Sequence, residues 1–128
     1  MIVTVHEWIW RRLPVVVYCI AIFIQSSLPA PQPVVDFQLN DKLLHVAGYA
    51  LLGALFLRAF QTIPFKTTAR MLLLSILCAS LYGLTDEIHQ FFVPSRNCDI
   101  WDGVADGVGS VLGVTAYHLF WKFKGSKK

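Results

Sequence analysis

The chain has little charge for its length. Only 15% of its 128 residues are charged, whereas a soluble domain normally carries about a quarter. Hydrophobic residues make up 55%, and the mean hydropathy is +0.56. This balance argues against an ordinary soluble domain and against a disordered chain, and it indicates several membrane-spanning helices.

Cysteine is also scarce, with an odd total of three and no CxxC pair. A disulfide framework and a cysteine metal site are therefore not expected. The sequence has no HExxH, GxSxG, Walker or GxGxxG motif, so the common catalytic and nucleotide-binding signatures are missing. No basic stripe with interleaved aromatic residues is present, so we expect no nucleic-acid partner.

Four apolar runs follow one another along the chain. They predict a single domain over residues 1–128 with helices at about 9–28, 42–60, 70–92 and 99–123. The first run also has features of a secretory signal peptide. Leu28 is not small at the point where cleavage favours a small residue, so we expect a retained helix. Asn40 or Asp41 is placed to cap the second helix, and Pro94 ends the third.

The positive charges predict the topology. They gather before the first run, between the second and third runs, and after the fourth, at Arg11, Arg12, Arg58, Lys66, Arg70, Lys122, Lys124, Lys127 and Lys128. The positive-inside rule places these three regions in the cytoplasm. The prediction is an all-α polytopic membrane protein, a four-transmembrane-helix bundle with both termini cytoplasmic.

Three polar clusters then converge at the outer end of the bundle. Residues three or four apart share one helix face. The resulting stripes are Asp41, His45 and Tyr49 on the second helix, Asp86 and Gln90 on the third, and Asp99, Asp102 and Asp106 on the fourth. Charges within a membrane are costly and usually functional, so the stripes predict an acidic pocket. Gly103 with Gly107, and Gly109 with Gly113, fit the small-xxx-small spacing that allows close helix packing.

Each polar residue has a functional and a structural interpretation. The strongest catalytic candidates are Asp86, Glu87 and His45. The ligand-binding candidates are Asp41, Lys42, Tyr49, Gln90, Arg96, Asp99, Asp102 and Asp106. Structurally, Asp41 and Asp99 suit helix caps, Gln90 suits an interhelical hydrogen bond, and His89 suits an interface. Arg96 either pairs with Asp86 or Glu87 or holds a phosphate.

Such a pocket has several uses. It can bind a cationic or hydroxyl-rich head group, hold a divalent metal through carboxylates and imidazole, or perform acid–base chemistry. A proton or ion pathway ranks last, because the inner halves of the runs have few polar residues. A structural role, with the charges as interhelical pins, is the remaining alternative.

The combined pattern resembles the VanZ-like family. Its parts are Gln25-Ser26-Ser27, then Asp41-Lys42-x-x-His45-x-x-x-Tyr49, then Gly83-x-x-Asp86-Glu87-x-x-Gln90, and finally Pro94-x-Arg96-x-x-Asp99-x-x-Asp102-x-x-x-Asp106-x-x-Gly109. The resemblance implies a four-helix protein of the bacterial inner (plasma) membrane. The founding member of the family is associated with low-level resistance to teicoplanin, a glycopeptide antibiotic. The chain departs at Asp106, where many members have asparagine.

The expected function is therefore that of a VanZ-like cell-envelope protein. Its outward-facing acidic pocket is expected to bind or act on a membrane lipid head group or a lipid-linked envelope precursor, with a link to teicoplanin resistance. The alternatives are a membrane-embedded hydrolase or transferase, assisted by a divalent metal, and a structural or ion-conducting bundle. The sequence leaves the metal and the oligomeric state open.

Overall fold

The computed structural model describes residues 4–29 and 38–126. Within these ranges the chain forms four helices: α1 (Val5–Ser27), α2 (Gln38–Phe60), α3 (Thr68–Phe91) and α4 (Ile100–Gly125). All four predicted helices are present. Helix α2 begins four residues before the predicted start, so Asp41 lies in its first turn and the proposed cap at Asn40 or Asp41 is wrong. Lys127 and Lys128 lie outside the described residues.

Local sequence signals set several helix ends. Thr4 and Glu7 form a capping box at the start of α1. The side chain of Thr67 caps α3, and the side chain of Asp99 accepts a hydrogen bond from the Trp101 amide at the start of α4. The predicted Asp99 cap is thereby confirmed. Helix α3 ends at Phe91, shortly before Pro94, whose ring is incompatible with a continuing helix.

Helix α2 is the centre of the bundle. It packs on α1, α3 and α4, and its interface with α4 is the most extensive. Arg11 of α1 donates to Gln61 over 3.1 Å, and Arg12 donates to Thr62 over 3.2 and 3.0 Å. These bonds join the start of α1 to the end of α2, so the two helices run antiparallel. The basic ends of α1 and α2 therefore meet at one end of the bundle, and the acidic clusters occupy the other.

Two glycines make the α2–α4 contact possible. A Cβ atom on Gly109 would lie 3.0 Å from Val46 Cα, and one on Gly113 would lie 2.6 Å from Ala50 Cα. Both distances are shorter than van der Waals contact, so the backbones of α2 and α4 touch here. The predicted packing role of this glycine pair is confirmed.

The other glycine pair has no such role. A Cβ atom on Gly103 or on Gly107 would meet nothing within 4 Å among the described residues. Gly103 and Gly109 are six positions apart, or about 240° around a helix, so they cannot both face α2. The predicted packing role of Gly103 and Gly107 is wrong for this reason.

The bundle is apolar outside and polar inside at one end. Large hydrophobic side chains are exposed along every helix, among them Val17, Leu43, Leu73 and Leu112. Buried polar groups include Asp86, Glu87, Gln90, Asp102 and Asp106. Three of the four described helices, α1, α2 and α3, are long and apolar enough to cross a membrane. This distribution is the reverse of that of a soluble protein, in which ionised side chains face the solvent.

Candidate functional site

A cavity of about 360 Å³ opens between α1, α2 and α3 at the acidic end of the bundle. Its polar lining includes Asp41, His45 and Tyr49 of α2, Asp86 and Gln90 of α3, and Arg96 from the loop before α4. Helix α1 contributes a wall of Tyr18, Ala21, Ile22 and Gln25. The predicted stripes of α2 and α3 therefore face the same space.

His45 links α2 to α4. Its Nδ1 atom lies 2.8 Å from Oδ1 of Asp106, and its Nε2 atom lies 3.8 Å from Oδ2 of Asp102. The ring also lies parallel to that of Tyr49, with centroids 6.5 Å apart. The close backbone contact at Gly109, one turn below, allows this bond, because it brings α4 against the same face of α2.

Lys42 forms a second link between the same two helices. Its Nζ atom lies 2.5 Å from Oδ2 of Asp99 and also pairs with Asp102. The ammonium group lowers the pKa of the Asp99 carboxyl below 3.8, and the hydrogen bond from the Trp101 amide acts in the same direction. Asp99 and Asp102 therefore have a neighbouring cation.

Glu87 and Asp106 are more deeply buried and less completely paired. Glu87 is 2% exposed and Asp106 is 0% exposed. Oε2 of Glu87 accepts a hydrogen bond from the Asp99 amide at 3.1 Å. Oε1 of Glu87, Oδ2 of Asp106 and the hydroxyl of Tyr49 are buried and have no hydrogen-bond partner among the described residues. Buried polar atoms without partners are uncommon and costly, so these three need an explanation.

Gly83 allows Asp106 and Tyr49 to approach α3. A Cβ atom at this position would lie 2.7 Å from Oδ2 of Asp106 and 3.0 Å from Cε1 of Tyr49. Only glycine leaves room for both side chains. The unpartnered carboxylate oxygen of Asp106 therefore sits against the backbone of α3, about one turn from Asp86 and Glu87.

Gln90 and Asp86 form a pair within α3. The amide Nε2 of Gln90 donates to Oδ2 of Asp86 over 3.1 Å, with both side chains buried. The predicted interhelical hydrogen bond of Gln90 is replaced by this bond within one helix. Both residues line the cavity, so the pair presents a carboxylate and an amide to it.

Arg96 does not pair with the acids. Its Nε atom donates to the carbonyl of Leu28 over 3.0 Å, and its Nη2 atom donates to the carbonyl of Gln25 over 3.1 Å. The predicted pairing of Arg96 with Asp86 or Glu87 is therefore wrong. The two backbone carbonyls at the end of α1 accept from the guanidinium instead, and the preceding residue, Ser95, has a positive φ of 64°. The guanidinium group still lines the cavity.

His89 lies outside this arrangement, as predicted. Its ring stacks on Phe23 with centroids 4.7 Å apart, and its Nε2 atom lies 2.9 Å from the hydroxyl oxygen of Ser27. The Ser27 hydroxyl already donates its single proton to the Phe23 carbonyl over 2.6 Å. The contact between Ser27 and His89 joins α3 to α1.

Sequence reasoning missed two polar residues of the cavity lining, Tyr18 and Gln25. Tyr18 lies within an apolar run, and its hydroxyl donates to the carbonyl of Gly48 over 3.1 Å. Gln25 belongs to the Gln25-Ser26-Ser27 motif but was not predicted to line the cavity. Its spacing of seven from Tyr18, two helical turns, is the signal that places both on one face of α1.

Two overlapping groups of side chains have the spacing of a metal site. One comprises Asp41, His45 and Asp102, and the other comprises His45, Glu87 and Asp106. Within each group, one potential ligand atom from every residue lies within 4.8 Å of the others. Imidazole nitrogen and carboxylate oxygen are ligands that divalent first-row metals accept.

Comparison with known proteins identifies the family. The family model described as VanZ/LLP1 matches residues 15–121, which is most of the chain. No curated protein matches the chain, and no solved structure matches it. The matched region contains all the residues that line the cavity, the whole of α2 and α3 and the second half of α1. Together with the three apolar helices, the match supports a VanZ-type membrane protein. The chain therefore belongs to the VanZ/LLP1 family.

Proposed function

We propose that this chain is a single-domain protein of the bacterial inner membrane that binds the polar head group of a lipid or of a lipid-linked envelope precursor. All four helices span the bilayer in this proposal, with both termini in the cytoplasm and the cavity facing outward. The basic residues near Arg11, Arg58 and Lys122 support this orientation through the positive-inside rule.

The cavity itself carries the proposal. It combines an apolar wall on α1 with carboxylates of Asp41 and Asp86 and the guanidinium of Arg96. Its volume of about 360 Å³ lies within the usual range for small-molecule sites. An amphiphile with a compact polar head matches this lining better than a wholly polar or a wholly apolar ligand does.

The polar groups suggest how a head group is oriented. A guanidinium has five N–H donors, and the backbone carbonyls at the end of α1 accept from two nitrogens of Arg96. The remaining donors suit a phosphate. Asp41 and Asp86 would accept from an ammonium group or from sugar hydroxyls on the far side of that phosphate. The lipid tail would then leave along α1, where Ala21 and Ile22 line the wall.

Native mass spectrometry in mild detergent tests this proposal. We expect the wild type to carry a co-purified lipid that Asp86→Asn loses while remaining folded. The matched control is Glu7→Gln, which removes an exposed acid in the first turn of α1. An unliganded wild type, or equal lipid occupancy in Asp86→Asn, would count against a head-group site. If Asp86→Asn unfolds, the acids are interhelical pins instead.

A lipid-linked cell-wall precursor is the ligand that would connect the cavity to teicoplanin. On this branch, bacteria that express the wild type tolerate more teicoplanin than bacteria that express Asp86→Asn at equal protein level. Equal tolerance would remove the antibiotic link and leave the head-group site to be judged by mass spectrometry alone.

The alternatives receive less support. An ion pathway requires polar groups that continue through the bundle, but the described core below the cluster is apolar at Val15, Leu52 and Ala79. Ser75 is a buried polar residue, but its hydroxyl donates to the carbonyl of Met71 within its own helix. Acyl or phosphoryl transfer requires an activated nucleophile, and the geometry of Ser27 and His89 does not supply one.

A further inference from the structure

We propose that His45, Glu87 and Asp106 form a binding site for one divalent first-row metal ion, and that the site binds Zn²⁺ more tightly than Mn²⁺ or Mg²⁺. The three side chains come from α2, α3 and α4, and one potential ligand atom from each lies within 4.8 Å of the others. This site adjoins the head-group cavity through His45 but does not depend on its occupant.

The unpartnered oxygens distinguish this group from an ordinary acidic cluster. Oε1 of Glu87 and Oδ2 of Asp106 have no hydrogen-bond partner among the described residues, and both residues are almost fully buried. An ionised oxygen without a partner is expensive in a buried position. A bound cation would neutralise these oxygens directly.

The charge balance supports the same conclusion. Four buried carboxyl groups, those of Asp86, Glu87, Asp102 and Asp106, face the same end of the bundle. Lys42 pairs with Asp102 and with the less buried Asp99. It therefore does not balance the charges of Glu87 and Asp106. A divalent ion supplies two positive charges where the described side chains offer only His45.

The second possible group, with Asp41 and Asp102, is the weaker candidate. Asp102 already has Lys42 as its partner, and a metal ion beside that ammonium would be repelled. The two groups share His45, so one ion excludes the other. The Lys42 ammonium beside Asp102 and the unpartnered oxygens of Glu87 and Asp106 therefore assign the ion to His45, Glu87 and Asp106.

The donor chemistry sets the order of affinity. Imidazole and carboxylate together suit Zn²⁺ and Mn²⁺, and the general order of stability places Zn²⁺ above Mn²⁺. Mg²⁺ favours octahedral oxygen ligands and retains its water, so it should bind most weakly. Zinc bonds of about 2.0 to 2.2 Å place ligand atoms within roughly 4.4 Å of one another, which is compatible with the upper limit of 4.8 Å in this group.

The experiment is isothermal titration of tag-free, chelator-treated protein in detergent with Zn²⁺, Mn²⁺ and Mg²⁺. We expect one saturable equivalent in the order Zn²⁺, Mn²⁺, Mg²⁺, with Zn²⁺ affinity reduced at least about 10-fold in Glu87→Gln. Glu7→Gln is the control, because it removes an exposed acid of α1 that lies outside both the metal-binding group and the head-group cavity. It should retain the Zn²⁺ affinity of the wild type within about twofold.

Several results would overturn the proposal. One is a wild type that binds no metal. Another is zinc that does not titrate to saturation and is thus an adventitious ion only. The third is an equal loss of Zn²⁺ affinity in Glu87→Gln and Glu7→Gln. If Glu87→Gln does not fold, His45→Gln serves as the second variant, and the wild type should melt at a higher temperature with Zn²⁺ than without it. Failure of the lipid experiment leaves these readouts unchanged, so the two proposals fail separately.

Discussion

Replacement of Gly113 by alanine should destabilise the bundle, because α2 and α4 touch at this position. The added Cβ would lie 2.6 Å from Ala50 Cα and would also strike the adjoining carbonyl group. These are backbone atoms, which cannot rotate away, so the helices must separate. Overpacking of this kind costs about 1 to 3 kcal/mol. Alanine recovers about 1 kcal/mol through its higher helix propensity. The expected net loss is therefore up to about 2 kcal/mol.

Gly107→Ala is the matched control on the same helix. A Cβ at Gly107 meets nothing within 4 Å, so only the helix propensity changes and the variant should gain up to about 1 kcal/mol. Reversible unfolding in mixed micelles, followed by far-UV circular dichroism, measures both variants. If Gly113→Ala is as stable as Gly107→Ala, the backbone contact between α2 and α4 is not present and the placement of His45 beside Asp106 loses its basis.

Three further predictions concern the outer end of the bundle. Lys42→Met leaves Asp102 without its cation and should lower the free energy of unfolding by about 1 to 3 kcal/mol. In the same unfolding assay, the double variant with Asp102→Asn should recover at least half of that loss. Ser95→Gly should be at least as stable as the wild type, whereas Ser95→Val should lose at least about 1 kcal/mol, because Ser95 has a φ of 64°. Lys42 lowers the pKa of Asp99 below its usual value of 3.8. The ion pair therefore contributes its full stabilisation at a pH above 3.8, and this stabilisation is lost as the pH falls through the lowered pKa. Unfolding between about pH 5 and pH 2 should therefore show a shallower loss in Asp99→Asn than in the wild type.

The sequence was sufficient for the helices and for the meeting of their polar faces. The helices follow from the length of the hydrophobic runs, and the shared face of Asp41, His45 and Tyr49 follows from the 3.6-residue period. The short loops between helices then require neighbouring helices to be antiparallel. These two facts bring the acidic ends of α2, α3 and α4 together without any knowledge of side-chain contacts.

Individual partners could not be predicted in the same way. The position of Arg96 depends on the turn at Ser95, whose positive φ is unusual for serine and has no sequence signal. The choice between Gly103 and Gly109 as the packing residue depends on the rotation of α4 about its axis. That rotation is set by the whole interface with α2. Both glycine pairs have the same spacing, so the sequence alone does not distinguish them.

The two links between α2 and α4 have a consequence for how the protein is made. Helix α4 carries Asp102 and Asp106, and an aspartate deep in a bilayer costs about 2.5 to 3.5 kcal/mol on insertion scales. In the proposed membrane setting, α2 leaves the ribosome first and presents Lys42 and His45 before α4 is synthesised. The nascent α4 then enters the bilayer beside Lys42 and His45, which pair with its two aspartates. The acids that define the site therefore also make the insertion of α4 depend on that of α2.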